Sequence, residues 1–221
     1  MYVDYVENKV LDYSAILNDC EVGSAPTSVV MKNITRLEEF YNSDELVNIY
    51  NYLLLNIKNF EILLQIVKLT DSHRAESTLL ILLKLLQLKE DDNENDIDAL
   101  INLKAMCAKA IANYKDNSTV VTLLDCMNNK KEHYKVRLAC ADALGRIGDR
   151  NAVKPLLKLV EDDEEKSIYL KESATFALGL LGDTSAIDPL VAILESKQGF
   201  LDKFTFLKEK IVEALGKLNI S

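Results

Sequence analysis

The chain has 221 residues, 48% hydrophobic and 28% charged, with only seven glycines and three prolines. That is ample apolar material for a buried core and too little turn chemistry to punctuate a many-stranded sheet. A net charge of −9 and a pI near 4.9 weigh against nucleic acid or an anionic membrane as the main partner.

No apolar run reaches the ~18 residues that a membrane-spanning helix needs. The richest stretch, Leu79 to Leu88, is interrupted by Lys84 and Gln87. Residues 1–7 have neither the basic nor the apolar region of a secretion signal, so a cytoplasmic location is expected. The four cysteines, Cys20, Cys107, Cys126 and Cys140, contain no C-x-x-C pair and are expected to be free buried thiols.

Residues 1–100 show helical periodicity near 2–19, 28–41, 44–57, 59–69 and 72–88, with a further helix from about 97. Segment 21–27, with Gly23 and Pro26, is the clearest early loop. Short connections at 58–59 and 70–72 fit continued hairpins. This part is expected to hold degenerate repeats or an N-terminal cap, continuous with the C-terminal half of the chain; a separate helical domain is the alternative. Six of the nine tyrosines fall within residues 1–52, marking either core packing or an amphipathic surface.

Segment 90–98 carries six acids and no base. Set on a calcium-loop template from Asp91, Asn93 and Asn95 fit, but Asp96 stands where glycine is needed and Asn102 where glutamate is needed. It reads as a solvated interhelical loop, with an acidic docking site as the alternative. Residues 161–165 form a second acidic loop.

From residue 101 the chain repeats. Residues 136–149 (Val-Arg-Leu-Ala-Cys-Ala-Asp-Ala-Leu-Gly-Arg-Ile-Gly-Asp) are echoed 34 positions later by 170–183. Ala-Leu-Gly recurs at 143–145, 177–179 and 214–216, Gly-Asp at 148–149 and 182–183, and Pro155 is matched by Pro189. In each first helix one apolar stripe recurs: Val136, Ala139, Cys140, Ala143, Leu144 and Ile147, then Leu170, Ser173, Ala174, Ala177, Leu178 and Leu181. The same offsets give Leu103 to Tyr114 before them and Leu207 to Leu218 after, with Lys210 the polar exception.

The second helices carry Val120, Leu123, Leu124 and Met127; Val153, Leu156, Leu157 and Val160; and Ile187, Leu190, Val191 and Leu194. The units are helical hairpins of about 33–37 residues, at 103–132, 136–166, 170–198 and a terminal half at 207–218. Gly148 and Gly182 suit left-handed helix ends, with Asp149 and Asp183 placed to cap the second helix. Gly145 and Gly179 lie inside the first helix, where glycine is unfavourable by about 1 kcal/mol. The expected return is close approach of the paired helix. Cys107, Cys140 and Ala174 share one small-residue packing slot, and Cys126 takes the place of Leu159 and Ile193.

The pattern Val-Arg-x-x-x-Ala-x-Ala-Leu-Gly-x-x-Gly-Asp, followed by Ala-Val-x-Pro-Leu-Leu, resembles the HEAT-like repeat of the phycobilisome lyase type, over roughly residues 103–221. The resemblance implies an all-α fold, a right-handed α-α superhelix of antiparallel hairpins whose second helices line the concave face. It implies no single activity. HEAT-like di-iron enzymes use His-Glu pairs, whereas here His73 precedes Arg74 and His133 precedes Tyr134. HEAT-like DNA glycosylases use a basic groove, which the net charge disfavours.

No cofactor, metal or catalytic residue is expected, and the reading is a non-catalytic scaffold binding a protein along its concave face. The candidate contact residues are Asp125, Asn128, Lys154, Lys158, Glu161, Asp188 and Glu195 on the second helices. Phe200, Phe204 and Phe206 join them in the insertion that lengthens the last period. Those rings are expected to pack over the terminal core, or else to meet a partner or a second copy at the C-terminal edge. Two alternatives stand beside the scaffold: a subunit of a bilin lyase or chromophore-handling complex, and an inhibitor or immunity protein for a basic enzyme.

Overall fold

The computed structural model describes residues 11–89 and 96–220. The start of the helix expected near 2–19 and the body of the acidic segment, 90–95, lie outside the described residues. Everything described is helix, turn or loop, and no strand occurs among the described residues. Two compact units are found, residues 1–78 and 79–221.

The first unit holds α1 (Tyr13–Asp19), α2 (Thr27–Thr35), α3 (Ser43–Asn56) and α4 (Phe60–Leu69). Its helices start on side-chain caps: Asp12 accepts from the Ser14 and Ala15 amides, and Asn59 accepts from Ile62 N. Asn42 and Glu45 form a reciprocal capping box at the head of α3. Ile49, Tyr50, Leu53, Ile66 and Val67 are fully buried, as are Val30 and Ile34 on α2. Among the tyrosines, Tyr50 is core and Tyr13 stacks on Tyr52 at 4.4 Å.

α5 (Glu76–Leu86) runs across the boundary, and its residues from Leu79 belong to the second unit. Next come α6 (Ile97–Ala112), α7 (Val120–Asn128), α8 (Tyr134–Ile147), α9 (Val153–Glu161), α10 (Ile168–Leu181), α11 (Ile187–Ser196), the single turn α12 (Gln198–Leu201) and α13 (Thr205–Ile220). α8 lies between α6 and α10, and α10 lies between α8 and α13. These first helices form one layer. The second helices form the other, α7 packing on α8, α9 on α10 and α11 on α13. The second unit is an α-solenoid.

Each corner is built the same way. Gly148 and Gly182 end α8 and α10 with φ of 87° and 65°, in the left-handed region. Asp149 and Asp183 then accept from Asn151 N and Ser185 N, capping a 3₁₀ turn that leads into the second helix at Val153 or Ile187. The corner after α6 keeps this geometry without glycine: Lys115 takes the left-handed conformation at φ 51° and Asp116 accepts from Ser118 N. Pro155 and Pro189 fall in the first turn of α9 and α11, where a missing N–H is harmless.

All six stripe positions of α8 and of α10 are buried. The glycines inside these helices serve a different neighbour from the one expected. A Cβ on Gly145 would lie 2.7 Å from the Ala177 Cα of α10, and one on Gly179 would lie 3.3 Å from the Ala214 Cα of α13. The close approach is to the next first helix in the layer, not to the paired second helix. The second-helix stripe is also turned from the expected one. Leu159 and Ile193 are buried, while Leu157 and Leu194 are half-buried and Val191 is exposed. Each second helix packs against the next first helix in the chain, so residues on that side enter the core.

Candidate protein-binding face

The most buried charges lie where the two layers join. Each first helix carries a basic residue just after the first position of its repeated apolar stripe: Lys104, Arg137, Lys171 and Lys208. The first three are 3%, 5% and 1% exposed, so their partners decide whether the charge is tolerable. Arg137 Nε donates to the Met127 carbonyl near the end of α7 at 2.7 Å, and its terminal nitrogen donates to Glu165 at 2.7 Å. Lys171 Nζ donates to the carbonyls of Val160 (3.2 Å) and Asp162 (2.5 Å) at the end of α9. Lys104 pairs with Glu132 at 2.5 Å, and Lys208 with Asp202 at 2.9 Å. Arg137 and Lys171 thus meet the carbonyl end of the preceding second helix, the end whose partial charge favours cations. Burial pulls the Lys171 ammonium below its ordinary value, opposed by the nearby carboxylates.

This ladder is structural, and it leaves the opposite side of the second helices free. Asp125 and Asn128 on α7, Lys154, Lys158 and Glu161 on α9, and Asp188 and Glu195 on α11 are all exposed. Val121 (67% exposed) and Val191 (37%) put apolar surface among them. α9 lies beside α11, and α7 lies beside the turn that enters α9. Along the layer the exposed charge therefore runs acid on α7, mainly base on α9 and acid on α11.

The phenylalanine segment does not cover the core as expected. Leu201 is the buried residue of α12, while Phe200 and Phe206 are exposed and Phe204 is half-buried. Phe200 and Phe204 lean on each other at 4.8 Å, with the Lys171 ammonium 5.6 Å from the Phe200 ring and Lys210 5.4 Å from the Phe206 ring. Only one residue per turn of so short a helix can face inward, and Leu201 takes that place.

Of the histidines, His133 caps α8 by accepting from Lys135 N, and His73 Nδ1 lies 2.9 Å from Ser43 Oγ. Among the described residues no group of three His, Cys, Asp or Glu side chains is arranged to hold a metal ion. No described helix is long and apolar enough to cross a membrane.

The basic ladder escaped the sequence reading although Val136-Arg137, Leu170-Lys171, Leu103-Lys104 and Leu207-Lys208 stand in phase. A basic residue recurring beside a buried position was the available signal.

Two comparisons bear on this arrangement. Residues 82–168 match the family described as HEAT repeats, and residues 170–196 match the PBS lyase HEAT-like repeat. The first match reaches back into α5, which lacks the glycine and proline markers but buries Leu82 and Leu86. No curated protein matches the chain.

Proposed function

We propose that this chain, which carries HEAT repeats over residues 82–168 and 170–196, is a non-catalytic scaffold that binds a protein partner across its second helices. The observation that carries this reading is the exposed acid–base–acid sequence of Asp125, Lys154 with Lys158, and Asp188 with Glu195, interleaved with Val121 and Val191. A mixed polar face with apolar islands suits a protein surface, where complementary charge sets partner choice and rate of encounter. A uniformly basic track would suit a phosphate backbone, and this face is not one. The cytoplasmic location expected from the sequence belongs to the same reading.

The test is affinity capture with the purified chain and identification of what is retained, run beside a Lys154→Glu/Lys158→Glu/Asp188→Lys variant. Loss of the same protein from the variant supports the reading. Equal capture by both counts against a binding site on this face.

The match of 170–196 to a PBS lyase HEAT-like repeat favours one second reading, a subunit of a bilin-handling complex. Bilin binding by the purified chain, followed by its absorption spectrum, separates the two.

A further inference from the structure

The second helices align side chains as well as axes. Stacked repeats bring equivalent positions into rows that cross the layer, one residue per helix. Leu124 on α7, Leu157 on α9 and Val191 on α11 hold one such position. Leu124 and Leu157 are half-buried and Val191 is exposed, so the row is an apolar track open on its outer side. Charges border it at every crossing. Asp125 follows Leu124, Lys154 and Lys158 stand one turn before and one residue after Leu157, and Asp188 stands one turn before Val191. All four are exposed, and among the described residues none of them has an ion-pair partner.

The spacing of the crossings selects the shape of what can lie over them. Neighbouring helices in a packed layer are about 8–10 Å apart. An α-helix advances about 10.5 Å in seven residues and returns to nearly the same face. It can therefore offer one side chain each to α7, α9 and α11, at i, i+7 and i+14. An extended strand covers that distance in about three residues, which turns alternate contacts away from the surface. A polyproline II segment fits the spacing at about 9.3 Å per three residues, but the grooves that hold such segments are lined with aromatic rings. The sequences of α7, α9 and α11 contain no aromatic residue.

We propose that the occupant of this face is an amphipathic α-helix of a protein partner, lying across the second helices, basic at both ends and acidic at its centre. Its apolar side rests on Leu124, Leu157 and Val191. The inference rests on the binding role proposed above and names the element that fills it. A partner lysine or arginine meets Asp125 at one end, and another meets Asp188 at the other. A glutamate or aspartate, seven residues from each, lies between Lys154 and Lys158. The opposite order of charge would set like beside like at all three crossings, so the same face that attracts one helix rejects its reverse.

The probe is a fluorescein-labelled synthetic peptide, stapled into a helix on its outer side, with lysine, glutamate and lysine seven residues apart and leucines on the same face. Fluorescence anisotropy measures its binding to the full-length chain. The expected result is affinity at least about tenfold above that of the glutamate–lysine–glutamate peptide, and also above that of a peptide with three lysines. With Lys154→Glu/Lys158→Glu, shown to be folded by circular dichroism, the three-lysine peptide is expected to overtake the lysine–glutamate–lysine one. A general attraction of cations to an acidic chain would not produce that exchange of order. The proposal is overturned if the lysine–glutamate–lysine peptide does not bind, if the three peptides bind the parent chain equally, or if an unstapled version interrupted by proline binds as well as the helix. Should the peptide fail while capture of a protein is still abolished by Lys154→Glu/Lys158→Glu/Asp188→Lys, the binding face stands and its helical occupant falls. Should that capture also be unaffected, both fall.

Discussion

Gly145 and Gly216 occupy the same place in the repeat and have opposite surroundings. Gly145 on α8 is pressed against the Ala177 backbone of α10, whereas a Cβ on Gly216 of α13 would meet nothing within 4 Å. The rest of the face divides in the same way. Ala141 on α8 and Thr175 on α10 are completely buried, while Val212, their counterpart on α13, is 56% exposed. An identical motif therefore has two energetic meanings. Between two first helices the missing side chain lets backbones approach; on α13 it is only a weak helix former. The charged ladder divides similarly, since Arg137 is enclosed with Glu165 while Lys208 and Asp202 remain open to solvent.

The largest expected effect breaks the enclosed pair. Arg137→Met leaves the Glu165 carboxylate buried without its cation, and a loss of about 3–5 kcal/mol is expected in chemical denaturation. Lys208→Met, at the open counterpart, is expected to change stability by no more than about 1 kcal/mol. Next comes Gly145→Ala, where the new methyl collides with backbone rather than a yielding side chain, lowering stability by about 1–3 kcal/mol. Gly216→Ala should do the reverse and raise thermal stability by about 1 kcal/mol, since only helix propensity changes. Lys115→Gly should relieve the left-handed strain at the corner after α6, a net gain of about 0.5 kcal/mol once the looser unfolded chain is counted.

The smallest effect is acidic. Glu213 on α13 lies between Lys210 (2.8 Å) and Lys217 (2.9 Å), and their hydrogen bonds and charges lower its carboxyl from 4.5 to about 2. A carboxyl depressed in the folded state stabilises above its unfolded value, and that contribution is lost as pH falls from about 4.5 towards 2. The helicity of Glu213→Gln should fall less over that window than that of the parent chain. The pair is exposed, so the difference will be small.

The repeat, its first-helix stripes and the left-handed glycines were legible because each depends on local spacing in the chain. Val136, Ala139 and Leu144 announce a buried face by period alone, and Gly148-Asp149 announces a corner. Period does not say which neighbour covers a face. For that reason the spacing assigns Gly145 to the paired helix when Ala177 is its real contact, and gives Leu157, which is half-buried, a stripe position beside the fully enclosed Leu159. Arg137 and Lys171 were passed over because a cation on a helix normally means solvent; only the carbonyls of Met127, Val160 and Asp162 show that burial is met by partners. Of the candidate binding residues, the period placed Asp125, Lys154, Lys158 and Asp188 outside the core, where they are exposed; Phe200, in a helix of a single turn, offers no period from which its exposure could be read.

The central claim is that the exposed charge on α7, α9 and α11 recognises a protein partner. The most direct measurement is a titration of the captured partner, by calorimetry, against the parent chain, Lys154→Glu/Lys158→Glu, and Glu209→Lys on the open face of α13. The account predicts a several-fold or greater loss of affinity for the α9 reversal and parent-like affinity for the α13 change. Unchanged affinity for Lys154→Glu/Lys158→Glu, in a chain of unchanged helicity, would contradict it.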